Sequence, residues 1–136
     1  LLARVTGARL YICHMTITQG AAFLKKAKSD GVDVTVETCP HYLLFDKTIL
    51  REKGPYAKCN PPMRSRENVD ALWEYVFDGT IDTLGSDHGP YADEEKVKHG
   101  NFSKNIPVLA DMMQCWRGCS PRESISAACR WNDWRP

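Results

Sequence analysis

Short apolar runs alternate with amphipathic ones along this chain. Leu10 to Cys13 reads as a strand. Gln19 to Ser29 reads as a helix, with Ala22, Phe23 and Ala27 assigned to one face and Lys25, Lys26 and Lys28 turned to water, and Asp30-Gly31 stops it. Val32 to Thr38, rich in β-branched residues, predicts a second strand, and Pro40 is expected to end its ladder and turn the chain. Lys47 to Lys53 predicts a short helical turn closed by Gly54-Pro55. Tyr56 to Cys59 then reads as a brief extended piece before the stiff Asn60-Pro61-Pro62 loop. Ser65-Arg66-Glu67-Asn68 opens another helix, in which Val69, Leu72, Trp73, Val76 and Phe77 make a broad apolar stripe up to Gly79. From Ile81 a third strand follows, ending in Asp87-His88-Gly89-Pro90.

Strand, helix, strand, helix, strand is the order of parallel βαβ units with right-handed crossovers, so the fold class is α/β. A parallel sheet is covered on both faces, and three strands alone leave two unpaired edges. The chain therefore reads as part of something larger. A complete (β/α)₈ barrel takes roughly 250 residues, and this length suits about three of its eight units plus a tail. No internal repeat or low-complexity segment is present.

Composition narrows the class. The 136 residues are 43% hydrophobic and 26% charged with a formal charge of +1, and the charges are interspersed, which argues against a nucleic-acid surface. No window carries the roughly 18 apolar residues of a membrane span, and the start lacks the order of a secretory leader; a cytoplasmic location is expected. Cys13, Cys39 and Cys59 lie in or beside apolar runs and read as reduced, buried thiols. Cys115 and Cys119 have helical spacing but no second pair of ligands for a structural zinc.

Chemistry concentrates at strand exits. His14 and Asp87 occupy equivalent ends of two inferred strands, where a closed barrel gathers its active-site groups at one mouth. An imidazole nitrogen and a carboxylate oxygen suit zinc, manganese or iron, and the carboxylate can also take up a proton. Either residue alone is more often a packed or hydrogen-bonded polar group; together they favour a site. They are still only two ligands, where a catalytic zinc usually takes about three. His41, after a proline at a strand exit, reads as a hydrogen-bonded supporting histidine, and His88 as pointing away from Asp87. Cys39 and Cys59 read as packing residues, since no orienting base is spaced beside either.

Three strings carry a family likeness: Glu37-Thr38-Cys39-Pro40-His41-Tyr42-Leu43, Lys58-Cys59-Asn60-Pro61-Pro62-Met63-Arg64, and Asp78-Gly79-Thr80-Ile81-Asp82 continuing into Ser86-Asp87-His88-Gly89-Pro90. In this order and spacing they resemble the cyclic amidohydrolases, the group of allantoinase, hydantoinase, dihydropyrimidinase and dihydroorotase. The resemblance runs from about residue 1 to 104, while 105–136 diverges, within a single partial-barrel domain spanning 1–136. It implies a metal-dependent (β/α)₈ hydrolase of which this stretch holds the last three units, with the His14 strand sixth and the Asp87 strand eighth. By the same resemblance His14 binds one of two divalent metals, zinc first, and Asp87 binds the other while relaying a proton from the attacking water to the leaving nitrogen. Asn60 falls where relatives place a Ser or Asn against the cyclic amide, and the parent is expected to be a homo-oligomer.

The departures count too. The first-strand histidine pair, the strand-four lysine and the strand-five histidine have no counterpart, so the chain is expected to be a fragment, inactive alone. Tyr91 stands where dihydroorotases carry a histidine, which disfavours that member and is closer to hydantoinases, whereas Cys39-Pro40-His41-Tyr42 and Lys58-Cys59 lean toward allantoinase, so the substrate stays open. The ending Cys129 to Pro136 replaces an expected Asn-Pro-Ala continuation and suggests a truncated or frame-shifted reading. The rival readings are a non-catalytic partial-barrel module and a self-contained three-stranded binding domain. Uncovered parallel edges predict that the chain associates as its concentration rises. Light scattering checks this: a compact monomer at high concentration with a sharp cooperative melt favours the self-contained domain instead.

Overall fold

The computed structural model describes residues 2–89, 91–98 and 100–108; Pro90, Cys115, Cys119 and the 129–136 tail lie outside them. The elements in order are α1 (Leu2–Thr6), β1 (Leu10–Ile12), α2 (Thr18–Ser29), β2 (Val34–Thr38), α3 (Pro40–Leu44), α4 (Ile49–Lys53), α5 (Arg66–Phe77), β3 (Thr83–Leu84) and α6 (Asp93–Val97), with 3₁₀ turns at Gly54–Ala57 and Phe102–Lys104.

The three strands form one sheet in the order β1-β2-β3. Both pairings are parallel, with Leu10, Tyr11 and Ile12 opposite Val34, Thr35 and Val36, and Glu37 and Thr38 opposite Thr83 and Leu84. This is the arrangement the alternating pattern predicts. β3 is short, but its pairing continues at both ends, where Asp82 N donates to Val36 O (2.8 Å) and Gly85 N to Thr38 O (2.9 Å). The Asp82 carboxylate doubles that link: it accepts from Val36 N at 2.7 Å and from the Lys28 ammonium at 2.7 and 2.6 Å, tying α2 to both strands.

Alternation along β2 separates two faces. Val34, Val36 and Thr38 are buried, and the two valines with Ala21, Leu24, Cys39, Leu72, Val76 and Ile81 belong to the core between the sheet and helices α2 and α5. Thr35 and Glu37 point the other way, beside Tyr11 and Thr83, on a face that no described element covers. The helix following β2 is tied in by Trp73, whose Nε1 donates to Leu43 O at 2.9 Å.

Several details differ from the pattern-based reading. On α2 the inward residues are Ala21, Leu24 and Ala27, while Ala22 and Phe23 face outward, Phe23 being 51% exposed. The sequence offers two adjacent apolar stripes on this helix, and the position of α5 selects the one at i, i+3, i+6. On α5, Val69, Leu72 and Val76 are buried, whereas Phe77 is 67% exposed and stacks on Trp73 with ring centroids 5.6 Å apart. Pro40 does not merely end β2 but occupies the first turn of α3, where its missing N–H is not needed. The expected extended piece at Tyr56 to Cys59 begins instead inside a 3₁₀ turn. Cys13 is exposed rather than buried, because it lies just past β1 on the uncovered side of the sheet. No described helix is long and apolar enough to cross a membrane.

The two helix faces can be told apart by truncation. Leu72→Ala, at a fully buried position, is expected to cost about 2–5 kcal/mol, and Phe23→Ala less than about 0.5 kcal/mol. Urea unfolding midpoints at fixed protein concentration check this difference.

Candidate functional site

β1 and β3 deliver His14 and Asp87 to the same edge of the sheet. They flank the exit of β2, and their side chains converge, with His14 Nε2 3.7 Å from Asp87 Oδ1. Both residues hold a left-handed backbone, at φ 57° for His14 and 49° for Asp87. Left-handed conformations cost of order 1–3 kcal/mol for residues other than glycine, and they persist only where the surroundings enforce them.

Those surroundings are a set of hydrogen bonds around the turn after β1. Met15 N donates to Glu37 O (2.7 Å), and the buried Thr38 hydroxyl donates to Met15 O (2.6 Å). From α5, the Asn68 amide nitrogen donates to Thr16 O (2.9 Å), and its oxygen accepts from Thr18 N (3.1 Å). The turn is thus fastened to the neighbouring strand and to a helix at once, and His14 is left little room to relax.

The other ring nitrogen of His14 is occupied differently. Nδ1 lies 3.3 Å from Cys39 Sγ and 3.5 Å from Glu37 Oε1. His14, Glu37 and Cys39 together could offer three donor atoms within 4.8 Å of one another. Cys39 is fully buried, and burial, with smaller contributions from the nearby carboxylates, pushes its thiol up to about 12. It is a protonated packing group near neutral pH, as its sequence setting suggested. Glu37 is the residue that pattern reasoning left without a role. Its signal was present: a carboxylate within a β-branched strand, in step with Thr35 on the face opposite the core. The Tyr11 hydroxyl donates to Glu37 Oε2 at 2.8 Å and lies 2.9 Å from Thr83 Oγ1, so all three strands contribute to one polar row on the open face.

The remaining candidates sit around this centre. His41 is buried at the start of α3, its ring 4.1 Å from that of Tyr42. Burial, and secondarily the neighbouring His14, lowers its pKa to about 4. Asn60 is exposed on its loop, after Cys59 and before a cis peptide bond to Pro61. That loop is held by Pro61 O, which accepts from the Tyr42 hydroxyl (2.8 Å) and the Cys59 thiol (3.2 Å). Cys59 is buried, which raises its thiol pKa, and it reads as structural. His88 is exposed, its backbone N–H donating to Ser86 Oγ (3.3 Å), and Tyr91 is also exposed.

No family model matches the chain. Among curated proteins it is 42% identical over 114 residues to an allantoinase of Escherichia coli, an alignment covering 84% of this chain and 25% of the relative. Among solved structures it is similar to an L-hydantoinase (dihydropyrimidinase) from Arthrobacter aurescens, at 40% identity and TM-score 0.67 over 71% of this chain and 22% of that one. A D-hydantoinase structure is similar at 30% identity and TM-score 0.71, over 81% of this chain and 26% of that one. The chain belongs to the cyclic amidohydrolase family. It spans about a quarter of the length of the curated relatives it matches. Its solved neighbours are hydantoinase barrels, and what this chain shows in common with them is a small parallel sheet with helices.

For this amidohydrolase stretch, the buried imidazole makes a pH prediction. Folded His41 refuses a proton until about pH 4, whereas the unfolded chain takes one near the ordinary value of 6.5. Stability therefore falls as pH drops from about 6.5 toward 4, by up to about 3 kcal/mol, and this contribution is flat above that window. Urea melts across pH 4–7 should show the slope in the wild type and a shallower one in His41→Gln.

Proposed function

We propose that this stretch supplies part of the active site of an enzyme that opens a hydantoin-like or ureide ring by hydrolysing a cyclic amide C–N bond. The observation that carries the reading is the convergence of His14 Nε2 and Asp87 Oδ1 at 3.7 Å, each held in a left-handed backbone at a strand exit. Two such positions facing one another at one end of the sheet favour a site over a scaffold without chemistry.

The donor set fits a divalent cation, zinc first. An imidazole nitrogen and a carboxylate oxygen this close would be the groups on this stretch that hold such an ion. When bound, such an ion acidifies a water and polarises the amide carbonyl. His14 and Asp87 hold this end of the centre, and further ligands come from parts of the parent enzyme beyond this stretch. Asp87, half-buried and next to the reacting groups, takes the proton of the attacking water and passes it to the ring nitrogen as the C–N bond breaks. Asn60, exposed on its loop, offers an amide that donates and accepts at once, which suits a ring with adjacent NH and C=O groups. His41 stays neutral behind His14. The parent acts on a small cyclic amide, with allantoin the substrate favoured by the sequence strings shared with allantoinase, and works as a cytoplasmic homo-oligomer.

The test uses a full-length enzyme carrying this stretch. Asp87→Asn should lower kcat by about 10²–10⁴-fold with a smaller change in KM, His14→Ala should lower metal content, and Cys59→Ser should be nearly silent. Turnover with metal analysis on the three variants checks this, and an Asp87→Asn enzyme that keeps its metals and wild-type turnover would rule out the proton relay.

A further inference from the structure

We propose that Glu37 is the positioning residue that keeps the hydrogen of His14 on Nδ1, so that Nε2 presents its lone pair toward Asp87. The inference rests on the reading of His14 as a metal ligand and adds which atom ligates and what decides it.

Three groups compete for the single hydrogen of the neutral ring. Asp87 Oδ1 faces Nε2 at 3.7 Å, while Glu37 Oε1 and Cys39 Sγ face Nδ1 at 3.5 and 3.3 Å. A carboxylate only accepts, so Glu37 favours hydrogen on Nδ1; the Cys39 sulfur can weakly accept that hydrogen or its thiol can donate into Nδ1, and in the second case the ring hydrogen would move to Nε2 and block it as a ligand. Glu37 is nearer than Asp87 and less exposed, at 15% against 25% for the side chains. It is also fixed from behind, since the Tyr11 hydroxyl holds its other oxygen at 2.8 Å. Pairing of a ligating imidazole with a carboxylate at its far nitrogen sets ring orientation and raises ligand basicity.

Gly85 supplies an independent sign that this placement is built in. A Cβ at Gly85 would lie 2.5 Å from Glu37 Cδ and 2.6 Å from each carboxylate oxygen. The residue that carries β3 past its last ladder position is thus without a side chain where the carboxylate passes.

The experiment is ¹⁵N NMR of the full chain with labelled histidine at alkaline pH, the His14 signals being assigned with His14→Gln. The wild type should show mainly the Nδ1–H tautomer. Glu37→Gln should shift the ring toward Nε2–H, and so should Gly85→Ala, which displaces the carboxylate while keeping every polar group; two variants guard against one that fails to fold, and amide dispersion reports folding. Cys39→Ala should leave the tautomer as it is. Zinc alone should then perturb Nε2, with affinity about 10–100-fold weaker in Glu37→Gln.

A wild-type ring mainly protonated on Nε2, or one that responds to Cys39→Ala and ignores Glu37→Gln, overturns the inference. Zinc taken at Nδ1 together with Cys39 overturns it as well. If the tautomers behave as expected but zinc leaves Nε2 unperturbed, the hold by Glu37 stands and the metal-ligand reading of His14 fails.

Discussion

The exit of β2 is where the molecule is fastened. Glu37 O receives Met15 N from the β1 side, Thr38 O receives Gly85 N from the β3 side, and the Thr38 hydroxyl reaches Met15 O. These bonds extend both parallel ladders past the regular strands and into the turns that carry His14 and Asp87. A central strand with partners on both sides is the natural place for this, because its backbone donors and acceptors must all be matched once buried. On the helix side Val36 joins the apolar core that α2 and α5 contribute to, and the Thr38 side chain is fully buried.

The same strand then divides its labour by the pleat. Residues on one face give the core its apolar contacts, and residues on the other, Thr35 and Glu37, line a polar row with Tyr11 and Thr83. Glu37 couples these roles: its carbonyl holds the turn after β1, and its carboxylate reaches the ring that this turn presents. A change in the position of β2 would therefore be felt by both His14 and Asp87. Rigid support of this kind is what a site needs when its groups must be kept within a fraction of an ångström of working geometry.

Around this centre the nearby titratable groups are set apart by burial. His41 and Cys39 lie in the interior and are pushed toward their neutral forms, while His14 and Asp87 stay partly open to solvent. Neutral neighbours behind the pair leave its electrostatics to Glu37 and Asp87, two carboxylates on opposite sides of one imidazole. A cation is the species such an arrangement suits, since carboxylate oxygens and an imidazole nitrogen are the donors it takes.

Much of this was legible in the order of residues. The alternation of apolar runs and amphipathic stretches pointed to a parallel α/β sheet, because period-two and period-3.6 patterns bury different faces and strands joined through a crossover helix run the same way, while the order β1-β2-β3 belongs to the folded sheet. The polar groups at strand ends, together with the three family-like strings, point to His14 and Asp87 from residue order alone. What the sequence could not decide were choices between nearly equivalent local options. Ala21 and Leu24 lie inward on α2 instead of Ala22 and Phe23 because α5 packs against that helix, and Pro40 occupies the first turn of a helix that itself packs against α5. The part of Glu37 was likewise a tertiary matter. A carboxylate in a strand gains its meaning from the tyrosine, glycine and histidine that two other strands bring to it, and those positions, 11, 85 and 14, become neighbours only when the sheet forms.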